Sequence, residues 1–96
     1  MNSTPFFAII LKSVQKITGV SVIDIIKKWD EFSTDARYCT IIVARQYFSI
    51  AQIAKFLNRS PQGIRFLINK HKTNFDTINN IKRIKELVER EKNFFN

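Results

Sequence analysis

Apolar side chains recur at helical spacing along most of this chain. Phe6, Ile9, Ile10, Val14 and Ile17 mark one stripe, the three-to-four-residue recurrence of an amphipathic helix. Thr4-Pro5 reads as its cap followed by proline at the first helical position, and Thr18-Gly19 as its stop. Ser21 can cap a second, short helix to about residue 28, with Val22, Ile25, Ile26 and Trp29 on one side. Ser33 or Thr34, with Asp35 in the first turn, opens a third that runs to about residue 45. Its stripe is Ala36, Cys39, Thr40, Val43 and Ala44, and the neighbouring β-branched Ile41 and Ile42 leave a strand as the competing reading. Two more helices cover residues 49–57 and 61 to about 72, separated by Asn58-Arg59-Ser60. The last runs from Thr77 to about Phe94 with Asp76 as its cap, and Ile78, Ile81, Ile84, Leu87, Val88 and Glu91 fall on or beside one face. The pattern predicts an all-α fold, a compact bundle of about six helices forming one domain over residues 1–96.

Composition supports this. Two glycines and two prolines in 96 residues are too few for a sheet-and-turn architecture. With 45% apolar and 25% charged side chains the chain is ordinary globular material, not a disordered or fibrous one.

Charge changes the picture more. Sixteen basic against eight acidic residues give +8, and the excess is localised. Residues 1–35 sum to zero and residues 76–96 to +1. Residues 36–75 carry Arg37, Arg45, Lys55, Arg59, Arg65, Lys70 and Lys72 with no acid, hence +7. Such a segment calls for a polyanionic partner.

The inventory for catalysis is poor. One cysteine, Cys39, makes no intramolecular disulfide, and one histidine, His71, supplies no metal cluster. Cys39 reads as a small core hydrophobe and His71 as a surface or capping residue near a helix end. No carboxylate pair is set up for acid–base work. The expectation is a non-enzyme without catalytic residues, metal, cofactor or small-molecule substrate. The apolar run of residues 6–11 is too short to span a membrane and has no cleavage-site pattern after it, so the expected place is the cytoplasm, with no membrane partner.

The stretch that carries information is SIAQIAKFLNRSPQGIRFLINK, residues 49–70. Ile53, Leu57, Ile64 and Leu67 sit where a helix-turn-helix buries its shared face, and Ala54 sits where the two helices approach most closely. Asn58 suits a turn position that demands a left-handed backbone. Ser60-Pro61 is a second cap-plus-proline start. Only Arg59 departs from the pattern, standing where an apolar residue is usual. A helix-turn-helix over about residues 49–72 places the outward face of its second helix in the major groove. The base-contacting set is then Ser60, Gln62, Arg65, Phe66 and Asn69. Arg65 can donate twice to guanine, Gln62 or Asn69 can pair with adenine, and Phe66 can lie on a thymine methyl or pack on the first or last helix. The phosphate-contacting set is Ser49, Gln52, Lys55, Arg59, Lys70 and Lys72, and about five neutralised phosphates imply a salt slope near −4 to −5. Gly63, costly inside a helix, points to a close approach of DNA or of the preceding helix.

Extended upstream, the chain resembles the C-terminal DNA-binding domain of the bacterial replication initiator DnaA, and more widely the Trp-repressor-like helix-turn-helix group. The resemblance covers about residues 7–75 and rests on an amphipathic first helix and a short helix after Gly19-Val20-Ser21-Val22-Ile23-Asp24-Ile25. It continues in a helix opened by Ala36-Arg37 and in Ser49-Ile50-Ala51-Gln52-Ile53. It implies an all-α fold that binds duplex DNA, and it adds Arg37 to the phosphate-contacting set beside Arg59. The family's Arg-Asp-His-Thr-Thr signature is reduced to Arg59, followed by Ser60-Pro61-Gln62-Gly63. Its basic loop is here Lys27-Lys28-Trp29-Asp30-Glu31, with two acids.

Double-stranded DNA is therefore the expected partner, bound by a small transcriptional, replication or mobile-element regulator. The alternative is a protein-protein interaction module on a helix-turn-helix scaffold that no longer reads DNA. Against single-stranded nucleic acid, the outward positions offer one aromatic, Phe66, where stacking platforms use several. Phe94 and Phe95 at the C-terminal end dock on the domain or on a second copy of the chain, and a homodimer also supplies a second half-site.

Overall fold

Every helix after the first is preceded by a residue whose side chain holds a free amide hydrogen. In the computed structural model, which describes residues 4–93, six α-helices follow in order. They are α1 (Thr4–Thr18), α2 (Val22–Lys27), α3 (Glu31–Ala44), α4 (Ile50–Phe56), α5 (Pro61–Lys70) and α6 (Phe75–Lys92). Ser21, Asp30, Ser49, Ser60 and Asn74 cap α2 to α6, each side chain accepting from the amide three residues on. Two starts differ from the sequence expectation. Asp30, whose Oδ1 accepts from the Ser33 amide at 2.7 Å, starts α3 three to four residues before the expected Ser33 or Thr34. Asn74, accepting from the Thr77 amide at 2.8 Å, caps α6 in place of Asp76, which lies in the first turn. In both cases the acceptor used lies upstream of the residue chosen from the sequence, so the helix gains residues at its start.

No strand occurs among the described residues, and Ile41 and Ile42 lie inside α3. That helix is the hub, packing on α1, α2, α5 and α6, while α1 also lies along α6. Its predicted stripe Ala36, Cys39, Thr40, Val43 and Ala44 is buried throughout, joined by Ile41. The core continues through Phe7, Ile10 and Val14 of α1, Ile25 of α2 and Ile84 and Val88 of α6. Phe7 stacks on Phe56 with centroids 4.5 Å apart, which ties α4 to α1. On α6, Thr77, Ile84, Leu87 and Val88 are buried, Ile81 packs at the edge, and Ile78 is exposed, one position round the helix from the buried arc. Among the described residues no helix is long and apolar enough to cross a membrane.

Candidate nucleic-acid interface

The α4–α5 pair is held by its turn. Ser49 and Gln52 form a capping box at the start of α4, each side chain accepting from the other's amide. At the other end Asn58 has φ of 55°, the left-handed conformation the sequence called for. The Asn58 amide donates to the Lys55 carbonyl at 3.2 Å and the Arg59 amide to Ala54 at 2.8 Å. This is a Schellman closure, which satisfies two carbonyls that the helix end would otherwise strand. Ile53, Ala54, Leu57 and Ile64 are buried between α4, α5 and the rest of the core, each large side chain adding about 1.5–3 kcal/mol.

That anchoring leaves one side of α5 free. Gln62, Arg65, Phe66 and Asn69 are exposed, and at about 100° per residue they fall within one arc opposite Ile64. Ser60, the cap, is exposed at its head and accepts from the Gly63 amide at 3.0 Å. Gly63 faces solvent, and the single atom a Cβ would crowd is the Ser60 Oγ at 3.2 Å. The close approach predicted from its glycine is thus to its own cap, not to the preceding helix. Lys55, Lys70 and Lys72 are exposed, and Ser49 and Gln52 keep hydroxyl and amide hydrogens free beyond the capping box.

Arg37 and Arg59 behave otherwise. Arg37 is 1% exposed; its Nε donates to the Ile25 carbonyl at 2.7 Å and its Nη2 to the Lys28 carbonyl. Arg59 is half-buried, with Nη2 donating to the Ile26 carbonyl at 2.8 Å. Both guanidiniums thus converge on the C-terminal carbonyls of α2, where the helix dipole is negative. Burial, then the Arg59 charge, pushes the Arg37 guanidinium down to about 10, and burial lowers that of Arg59. Arg37 is therefore a buried cap and not the expected phosphate contact, because the side chain is enclosed and its Nε and Nη2 serve carbonyls of the fold. Arg59 explains its departure from the expected apolar residue: its guanidinium lies 4.3 Å from the centroid of the Trp29 ring, with that of Arg37 at 5.2 Å.

Comparison with protein families, with curated proteins and with solved structures returns no match.

Trp29 is the residue that sequence reasoning passed over. Grouped from the sequence with Val22, Ile25 and Ile26 on one apolar side, it is 75% exposed, and with Phe66, Arg37 and Arg59 it lines a cleft of about 550 Å³ beside the start of α5. The available signal was an aromatic set directly after Lys27-Lys28 in a loop. At the far end of α5, His71 is the C-cap, and its Nε2 lies 2.8 Å from Asp35 Oδ1, which also accepts from Thr77 Oγ1 at 2.8 Å. The Tyr38 ring packs on the imidazole at 4.6 Å. Cys39 is buried, and burial with the nearby Asp35 charge pushes its thiol up to about 12. Among the described residues no group of three or more His, Cys, Asp or Glu side chains is placed to hold a metal ion. Phe94 and Phe95 lie outside the described residues.

Proposed function

We propose that this protein binds double-stranded DNA in a sequence-specific manner, as a small transcriptional, replication or mobile-element regulator, with α4 and α5 acting as a helix-turn-helix. The observation that carries this reading is the free arc of α5. Gln62, Arg65, Phe66 and Asn69 project together from a helix whose opposite side is locked by Ile64. Those side chains match the hydrogen-bonding and methyl-contacting groups that major-groove edges require. Lys55, Lys70 and Lys72 are exposed on the same helix pair or just after it and suit phosphates. With Arg37 enclosed and Arg59 turned inward, the cations of the phosphate-contacting set that remain are Lys55, Lys70 and Lys72, so log K should fall with log salt at a slope of about −2.7. The experiment is selection of bound sequences from a random duplex library, followed by anisotropy titration of the selected duplex at several salt concentrations. An enriched motif with a slope of that size supports the reading, and no enrichment with salt-independent binding overturns it.

The interaction-module alternative has one observation in its favour. Phe32, Phe75 and Ile78, none of them in α5, are exposed apolar side chains, of the kind that marks protein contact surfaces when such residues form a patch.

A further inference from the structure

Phe66 belongs both to the outward arc of α5 and to the cleft that Trp29 borders, so the two surfaces are continuous. Trp29 and Phe66 are 75% and 67% exposed, with the Arg37 and Arg59 guanidiniums lying over the Trp29 ring. Rings left open in this way stack nucleobases, whatever their identity. Arg37, Arg59, Asn58 and Ser60 complete much of the lining, and no acidic side chain lines the cleft among the described residues. The two guanidiniums have only carbonyls as acceptors, Ile25 and Lys28 for Arg37 and Ile26 for Arg59, and Arg59 Nε is buried with no acceptor. The cleft is thus positively charged without a balancing carboxylate in its wall, and it calls for an anion. The first turn of α5, where Gly63 leaves the surface bare, adds the positive end of a ten-residue helix.

An aromatic platform joined to an anion site is complementary to a nucleotide. A base-paired nucleotide has both ring faces covered by its neighbours, so a duplex alone cannot fill this cleft. A site for a free nucleotide encloses most of its ligand, whereas this cleft is open and runs onto the α5 arc. The geometry points to a binding site for one unpaired nucleotide of a DNA strand, its base on Trp29 or Phe66 and its phosphate toward Arg59 and the first turn of α5. The inference rests on the nucleic-acid reading of α5, though not on duplex specificity.

Trp29 is the single tryptophan in the chain, so its emission reports on the cleft directly. The whole protein is titrated with oligothymidine of about eight nucleotides, a length within the usual range of such sites, and separately with thymidine monophosphate and inorganic phosphate. The expected result is saturable quenching by oligothymidine, at least about tenfold weaker in Phe66→Ala, the loss of one base–aromatic stack. Circular dichroism checks that this exposed substitution leaves the fold intact. No quenching by oligothymidine, or an unchanged affinity in Phe66→Ala, overturns the proposal. Equal affinity for the mononucleotide makes it a free-nucleotide site, and equal quenching by inorganic phosphate makes it an anion site without stacking; either outcome also overturns it. Anisotropy of a labelled blunt duplex is measured in parallel. Quenching by oligothymidine without duplex binding leaves the cleft standing and removes the duplex reading, and the reverse result removes only the cleft.

Discussion

Arg59 and Arg65 lie in the same acid-free stretch, six positions apart, yet the fold uses them in opposite ways. The corner where α2, α3 and the α4–α5 turn meet draws Arg37 and Arg59 inward, onto the carbonyls of Ile25, Ile26 and Lys28. The outer arc of α5 sends Arg65 to solvent beside Gln62 and Asn69. The first region commits Arg37, and Nη2 of Arg59, to the protein's own backbone, and the second leaves Arg65 in solvent. A net charge of +7 over residues 36–75 therefore overstates what a polyanion meets, because an arginine close to a helix C-terminus has an internal acceptor available.

The largest test of this contrast is Arg37→Ala. It strands the Ile25 and Lys28 carbonyls, the first of them buried, and should cost about 3 kcal/mol, lowering Tm in a thermal melt by more than about 10 °C. A Tm within about 2 °C of the parent would return Arg37 to the surface set. Arg65→Ala should leave Tm unchanged while removing about 1–3 kcal/mol of discrimination at one base pair, measured against single-site variants of the selected duplex. If discrimination survives, the arc does not read bases through Arg65. Asn58→Ala forces a side chain that dislikes the left-handed region into φ of 55° and should cost about 1 kcal/mol in denaturant unfolding, whereas Asn58→Gly should be near neutral. Lys55→Ala should weaken all duplexes alike and reduce the salt slope by about 0.9, with no change of sequence preference.

The smallest effect concerns pH at the same corner. Asp30 is held below the ordinary carboxylate range, first by the Ser33 amide and hydroxyl and then by Lys28 at 3.2 Å. A carboxyl with a lowered folded pKa contributes stability that is complete above its unfolded value of 3.8 and disappears as pH falls through the folded one. Asp30→Asn keeps a capping acceptor without a charge, so Tm should fall less steeply below about pH 4 than in the parent. Parallel curves for the two proteins would show that the ionised cap contributes nothing.

The helices were legible because periodicity and capping are local. The stripe of α3, the left-handed Asn58 and the Ser49 and Ser60 caps all follow from neighbours within four residues. What sequence left hidden is of longer range. Nothing near Arg37 reveals that the end of α2, 12 positions upstream at Ile25, will present carbonyls to it. Arg59 meets Ile26 across 33 positions. Trp29 was grouped with the apolar side of the second helix on its hydrophobicity, although it stands past the end of that six-residue helix. On the candidate surface the α5 arc was readable, since its outward positions are set by the helix itself, and the cleft beside it was not, since two segments must meet to make it.

The two ends of α5 have a consequence of their own. One is tied through Arg59 to α2, and the other through His71 and Asp35 to α3 and to Thr77 of α6. A rod clamped at both ends to different helices cannot swing without breaking charge-assisted hydrogen bonds. Its orientation is thus paid for in advance by folding, and little further loss of backbone entropy remains when a partner arrives.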